Sequence, residues 1–360
     1  MTDREYMQRA IELAKLGIGY TSPNPLVGAV IVKNNKIIGE GYHAAYGDLH
    51  AERNAFKNLT ESAEGATIYV TLEPCCHHGK QPPCTDAIID NKIAKVVIGS
   101  RDPNPLVAGK GARLLCEHGI TVVEDFMRAE CDELNPVFFH YITTGTPYIV
   151  MKYAMTLDGK IATTTGESKW ITCEKSRELV HNMRHAYRGI MVGINTVLAD
   201  DPMLNTRLEG KRSPIRIICD SNLRIPSDSK IVRTANEYET IVACAVCDSE
   251  KKELLNAHGV KVLTVPGKNN RVDINLLMKK LGEMKIDSIL VEGGGSLNDS
   301  LRAADLINEM KVFIAPKLFG GNTAATPVRG VGIECIKDAS VFKLYNTKII
   351  EDDILLELRK

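Results

Sequence analysis

The sequence carries no net charge: 45 lysines and arginines meet 45 aspartates and glutamates. Gripping nucleic acid or an anionic membrane takes an excess of basic side chains, so neither partner is expected. No run of about 18 or more apolar residues is present, which excludes a transmembrane helix. The opening MTDREYMQRA has acidic residues and no apolar stretch, so no secretory signal is expected. The ten cysteines form no disulfide framework. They are scattered, mostly in apolar segments, and read as reduced thiols of a cytoplasmic protein. Internal repeats, low-complexity tracts and the G-x-G-x-x-G fingerprint of a standard dinucleotide fold are all missing.

What is present is enough chain for two cores. At roughly 100–200 residues per domain, 360 residues make two domains. Thr2 and Glu5 fit a capping box ahead of a helix that ends near Gly17. VGAVIV (27–32) and KIIGEGY (36–42) predict strands around an Asn-Asn turn, and 50–59 predicts a helix. TIYVTL, CTDAIIDNK, KVVIGS, GARLLCEHG and TVVED alternate as strand, helix, strand, helix, strand. Such alternation predicts a mostly parallel sheet covered by helices. Gly145 and Pro147 mark a linker, so residues 1–145 and 146–360 are expected to be separate domains. Beyond it the alternation resumes through YIVMKYA, a helix at about 174–187, GIMVGI, PIRIICD, TIVACAV, KVLTVP, a helix at about 274–285, SILVEGGG and MKVFIAP, and the tail predicts two strands.

His50-Ala51-Glu52 precedes Pro74-Cys75, and Cys84 follows a Pro-rich loop. One histidine and two cysteines with a fourth position open is the pattern of a catalytic zinc, whose bound water has a pKa near 7. Glu52, a carboxylate that is not a ligand, is placed to shuttle protons. Residues two apart on a helix point about 200° apart, so both serve one metal only if it sits over the helix N-terminus. The pattern is that of zinc nucleobase deaminases, H-x-E followed by P-C-x-x-C, with one departure. Three residues after Cys75 stands His78, and the next suitable cysteine is Cys84, so either completes the ligand set on spacing alone. Cys76 is not expected to be a ligand.

SPNPLVGAV (22–30), HAE, TLEPCCHHGKQPPC and RDPNPLVAGKG (101–111) resemble the deaminase half of the bifunctional riboflavin-biosynthesis deaminase/reductases. The resemblance implies a cytidine-deaminase-like three-layer α/β/α domain. It makes His50, Cys75 and Cys84 the ligands of one Zn2+ per chain and Glu52 the catalytic proton shuttle. It further implies that Asn24, Asp102 and Asn104 contact the pyrimidine or its ribose, with His43 and Lys80 towards the phosphate. The reaction implied is removal of an amino group from a diaminopyrimidinone ribosylamine phosphate.

In the second half, LVEGGGSLNDSLR (290–302) is a strand, a glycine turn and a helix, able to bring backbone close to a phosphate. Taken with MKYAMTLDGKIAT (151–163), ESKWIT (167–172) and GINTVLADDPMLNTR (193–207), it resembles the reductase half of the same family. That resemblance implies a dihydrofolate-reductase-like α/β domain using NADPH. It implies cofactor contacts from Ala154, Trp170, Thr196, Asp200, Gly294, Gly295 and Ser296. Substrate contacts would come from Ser168, Arg184, Leu204, Arg207 and Glu292, with Lys152 assisting protonation. A small-molecule substrate and a homo-oligomer are expected.

Two patterns are set aside. His181 and His185, four apart, lack the glutamate a zincin needs at position 182 and read as helix surface. Cys244 and Cys247 have metal spacing inside an apolar strand and read as core. Two other functions are weighed: a nucleoside, cytosine or tRNA-adenosine deaminase with an accessory domain, and a nucleotide-binding scaffold that has lost catalysis. An RNA reader would carry a basic patch, and the intact His50, Glu52, Cys75 and Cys84 set argues against lost catalysis.

Overall fold

A computed structural model describes residues 1–77, 81–104 and 107–360. It divides into two compact units, Met1–Gly145 and Thr146–Lys360.

In the first unit, α1 (Asp3–Lys15) starts at the capping box: Thr2 accepts from the Glu5 N–H, and the Glu5 carboxylate accepts from the Thr2 N–H. Strands β1 (Gly28–Lys33) and β2 (Lys36–Tyr42) form a hairpin whose turn uses Asn34 and Asn35 at positive φ. Then come α2 (Ala51–Lys57), β3 (Thr67–Leu72), α3 (Cys84–Asp90), β4 (Lys95–Ser100), α4 (Lys110–Glu117), β5 (Thr121–Val123), α5 (Arg128–Asp132) and α6 (Pro136–Thr144). The sheet order is β2-β1-β3-β4-β5. It is mixed rather than mostly parallel, because β1 runs antiparallel to both β2 and β3. Alternation of side chains loads both faces. Ala29, Ile31 and Ile68 pack on one side with Ala51, Ala55, Ile88 and Leu115 of the helices. Val30, Val32 and Tyr69 pack on the other with Met7 and Ala10 of α1.

The second unit begins with β6 (Tyr148–Thr156), α7 (Glu174–Ala186), β7 (Gly189–Gly193), α8 (Ile194–Asp200), β8 (Ile215–Cys219), α9 (Lys230–Arg233), β9 (Thr240–Cys244) and α10 (Ser249–Ala257). It continues with β10 (Val260–Thr264), α11 (Ile274–Glu283), β11 (Ser288–Val291), α12 (Gly295–Ala303), β12 (Glu309–Ala315), β13 (Lys343–Ile350) and β14 (Asp353–Arg359). The nine strands run β10-β9-β8-β7-β11-β6-β12-β14-β13. Pairing is parallel from β10 to β12, and β14 and β13 close one edge antiparallel. In β8, Ile217 faces one core and Ile218 the other, as period-2 alternation requires. Helices α8, α9 and α10 have no counterpart in the sequence reading. α9 has four residues and α8 seven, too short for a periodic pattern to register.

Candidate active sites

His50 is the N-cap of α2, and Glu52 stands in its first turn, so both reach the space above the helix N-terminus. The chain then brings the cysteines to that point. The Cys84 N–H, at the start of α3, donates to the Cys75 carbonyl at 3.1 Å. Arg53, the residue after Glu52, donates to the carbonyls of Pro82 and Pro83 at 3.1 and 2.8 Å and holds the Pro-rich loop against α2. His50 Nδ1 lies 3.5 Å from Cys75 Sγ and 3.3 Å from Cys84 Sγ. The three ligand atoms sit within 4.8 Å of one another. A tetrahedral zinc with its usual bond lengths needs N···S edges of about 3.6 Å, so the donor set fits the metal. Cys76 is no part of the cluster. His78 and Lys80 lie outside the described residues.

Charge behaves as a metal site requires. Sharing a proton with Cys84, and hydrogen bonds from His50 and the Cys84 backbone, bring the Cys75 thiol down to about 4 against its burial. The same sharing, with burial, pushes Cys84 up. A cation between them lets both ligate as thiolates. Burial and then the Cys75 charge raise the Glu52 carboxyl above its ordinary range, which suits a group that must both take and return a proton.

A cavity of about 330 Å³ opens over this cluster, lined by Asn24, His43, His50, Glu52, Cys75, Asp102 and Asn104 among others. His43 is buried and lines this cavity. Its Nδ1 meets the Leu49 carbonyl at 3.1 Å and therefore carries the proton, so Nε2 accepts from the Asn24 amide at 3.1 Å. Burial holds the ring neutral. Asn24 is thereby turned with its carbonyl free of His43. The loop bearing Asn24 is held by buried Asn135, which accepts from the Leu26 N–H at 2.7 Å and donates to the Leu26 carbonyl at 2.9 Å. Asp102 accepts from the Asn104 N–H at 2.8 Å, and burial lifts its carboxyl to about 6.

The sequence reading passed over Glu73, although it directly precedes Pro74-Cys75. Its carboxylate accepts from the N–H groups of Gly109, Gly111 and Ala112 at 3.0, 3.1 and 3.3 Å, so it caps α4 from the segment that follows β3. A Cβ on Gly111 would run into the Pro74 carbonyl, so this close approach needs glycine. A long-range cap has no local spacing by which to find it.

The second unit holds a cavity of about 850 Å³ whose lining includes Lys152, Ala154, Ser168, Trp170, Arg184, Arg207 and Glu292. Arg184 closes its fork on Glu292 at 2.7 and 3.1 Å and donates to the Asn205 carbonyl at 3.1 Å. Its fork is thus occupied by Glu292 rather than open to a phosphate. Lys152 stands 3.8 Å from the same carboxylate. Burial of Glu292 is outweighed by Arg184 and Lys152, which hold it down at about 2. Trp170 is 60% exposed with Arg177 stacked on it at 4.6 Å. His181 also lines the cavity, and His185 is buried with Nδ1 accepting from the Arg212 N–H at 3.1 Å. Neither is plain helix surface, because this face of α7 turns inward.

Other implied cofactor and substrate residues stand beside the cavity rather than in its wall. Asp200 pairs with Lys169 at 3.5 Å. Leu204, at φ 53°, packs into the core with Ile194 and Val197. Gly294 is the N-cap of α12, Gly295 opens the helix under Arg329, and Ser296 is exposed in its first turn. The Thr196 hydroxyl lies against Gly294, within 3.7 Å of where a Cβ would stand, so it faces the N-terminus of α12, where backbone N–H groups favour an anion. The cavity, its cations and this helix end fit a nicotinamide dinucleotide.

Comparison with known proteins agrees in both halves. The cytidine and deoxycytidylate deaminase zinc-binding region matches residues 1–100, and the RibD C-terminal domain matches residues 147–353. The riboflavin biosynthesis protein RibD of Actinobacillus pleuropneumoniae is 56% identical over 99% of this chain and 95% of its own length. This chain belongs to the RibD family. RibD of Aquifex aeolicus is 43% identical over 99% of this chain and 98% of its own. The solved RibD of Acinetobacter baumannii, form 2, superposes with a TM-score of 0.88 at 36% identity, over 99% of this chain and 98% of that one. The Thermotoga maritima diaminohydroxyphosphoribosylaminopyrimidine deaminase/5-amino-6-(5-phosphoribosylamino)uracil reductase also gives 0.88, at 38% identity over 99% and 97%. As a RibD protein the chain is a bifunctional enzyme of riboflavin biosynthesis, with a zinc-dependent deaminase half and a reductase half that uses NADPH. Among the described residues no helix is long and apolar enough to cross a membrane.

Proposed function

We propose that the chain deaminates 2,5-diamino-6-ribosylamino-4(3H)-pyrimidinone 5′-phosphate to 5-amino-6-(5-phosphoribosylamino)uracil, then reduces the ribosyl chain to the ribityl product. The observation that carries this reading is the His50, Cys75 and Cys84 cluster beside buried Glu52, under a cavity of nucleobase size. Zinc, when bound, acidifies water to a pKa of about 7. Glu52 takes the proton of the attacking water and returns it to the departing amine, which leaves as ammonia. Asn24, Asp102 and Asn104 orient the ring.

In the second cavity NADPH, when bound, supplies hydride to C1 of the opened ribosyl chain. Lys152, held against Glu292, is the proton source, and Ser168 and Arg207 anchor the substrate. Ala154, Trp170 and Asp200 would hold the nicotinamide end of the cofactor, and Thr196, Gly294, Gly295 and Ser296 its phosphates. Arg184 fixes Glu292 and the Asn205 carbonyl, and Leu204, next along the chain, anchors that stretch in the core.

The protein works in the cytoplasm, a compartment in keeping with its ten free thiols. It works as a homo-oligomer: edge strand β13 leaves Leu344 56% and Ile349 80% exposed, and the segment before it leaves Ile336 and Val341 exposed as well.

The test is an assay of pure protein on the diaminopyrimidinone ribosylamine phosphate with and without NADPH, read by mass spectrometry. Exchange of amine for oxygen without NADPH, and a further gain of two hydrogens with it, is expected. An unchanged mass under both conditions would overturn the assignment.

A further inference from the structure

The sheet of the second unit reverses its winding between β7 and β11. From β7 the chain steps outward through β8, β9 and β10, whereas from β11 it crosses by α12 to β12 on the other side. Ligands of open α/β sheets bind in the crevice at such a point, at the carboxyl ends of the strands. Thr196 follows β7 there and faces Gly294, which follows β11.

One strand further out, at the carboxyl end of β8, stands Arg224. Its Nη2 donates to Asn195 Oδ1 at 3.0 Å, beside Thr196. Among the described residues its one charged partner is the buried Asp220, whose Oδ1 lies 3.9 Å from Nε, while the outer part of the fork is open to solvent, the side chain being 49% exposed. The second oxygen of Asp220 is taken by the Ile225 N–H at 2.8 Å. Arg224, Asn195, Thr196 and Gly294 therefore form a row across the ends of three strands. Ala154 marks the other end, on β6.

This order sets the direction of a dinucleotide. From β6 to β8 are three strand spacings, roughly 14 Å. With the nicotinamide beside Ala154 and the diphosphate at Gly294 and Thr196, the residues at the ends of β7 and β8 would be the ones to hold the adenosine. NADPH differs from NADH by one phosphate, on the adenosine ribose. An arginine fork with solvent access matches that group in charge and geometry.

We infer that Arg224 binds the 2′-phosphate and is the residue that selects NADPH over NADH. The inference rests on the NADPH reading above. Arg329 is the rival cation, but its side chain lies over Gly295 and lines a separate cavity with Asp299 and Arg302.

The experiment titrates NADPH and NADH into the full chain by calorimetry, for wild type, Arg224→Ala, Arg224→Gln and Arg329→Ala. The lone Trp170 gives a second, fluorescence readout. Both Arg224 variants are expected to weaken NADPH roughly 10- to 100-fold while the NADH constant holds. Adenosine 2′-phosphate should compete with NADPH on wild type and lose that competition on the variants. Equal weakening of both dinucleotides would make Arg224 a scaffold residue and overturn the inference, as would loss of preference in Arg329→Ala instead. Wild type that binds neither dinucleotide would sink the NADPH reading itself, and wild type that binds both alike would sink only the selection.

Discussion

Glu52 is buried beside His50, Cys75 and Cys84, the cluster proposed to hold zinc, and stands outside that cluster, which isolates its contribution. Glu52→Gln keeps the shape and loses the proton-accepting charge. Deamination should fall by roughly 10²- to 10⁴-fold while atomic spectroscopy still finds one zinc per chain. Lost zinc would make Glu52 a structural member of the site. Asn24 owes its orientation to His43, whose protonated Nδ1 is engaged with Leu49. Asn24→Ala should raise the deamination KM about tenfold with zinc intact, the cost of one hydrogen bond. His43→Leu should move KM in the same direction, because the amide loses its partner. An unchanged KM in both would remove Asn24 from the base-reading set. At this scale the residue types and spacing were legible, as His50, Glu52, Cys75 and Cys84 demonstrate. Their alignment was not: Arg53 on the Pro loop and Asn135 on Leu26 act over 29 and 109 positions.

At the scale of elements, strands and helices press charges together that lie far apart in sequence. Glu292 at the end of β11 meets Arg184 of α7 and Lys152 of β6. Its carboxyl is held at about 2, below the ordinary 4.5. A depressed carboxyl contributes stability that is complete above the unfolded pKa and lost as pH falls from about 4.5 towards 2. Glu292→Gln should therefore lower the unfolding free energy at pH 7 by about 3 kcal/mol for a broken buried pair, measured by denaturant titration. The gap to wild type should close as pH falls through that window. A gap independent of pH would mean that packing, not charge, is lost. The element reading from sequence succeeded where period and length were long enough, as in α1, α7 and α11. It missed the antiparallel β1–β3 pairing, since a buried strand reads as apolar whichever way its neighbour runs.

Across the whole molecule the two compact units each have their own cores, so each should unfold on its own terms. Zinc is bound by the first unit, and a metal that binds only folded protein stabilises it by mass action. Chelation should lower the melting transition of the first unit and leave the second in place, seen as two calorimetric transitions of which one moves. Both moving together would mean that the units melt as one. The exposed apolar side of β13 makes a further claim at this scale. Leu344→Lys with Ile349→Lys should shift sedimentation to a lighter species, and an unchanged species would remove that edge from the interface.

The sequence by itself determined the chemistry: which side chains could hold zinc, which carboxylate could move a proton, and that two α/β units follow one another. Those are properties of residue type and local period, and both are written along the chain. Only the tertiary structure decided which groups meet. It set 3.3 and 3.5 Å between His50 and two thiols, turned Asn24 by way of His43, closed Arg184 on Glu292, and put Arg224 at the far end of the switch point. Distances of that kind depend on strand order and crossovers, which bring together residues that no spacing along the chain relates.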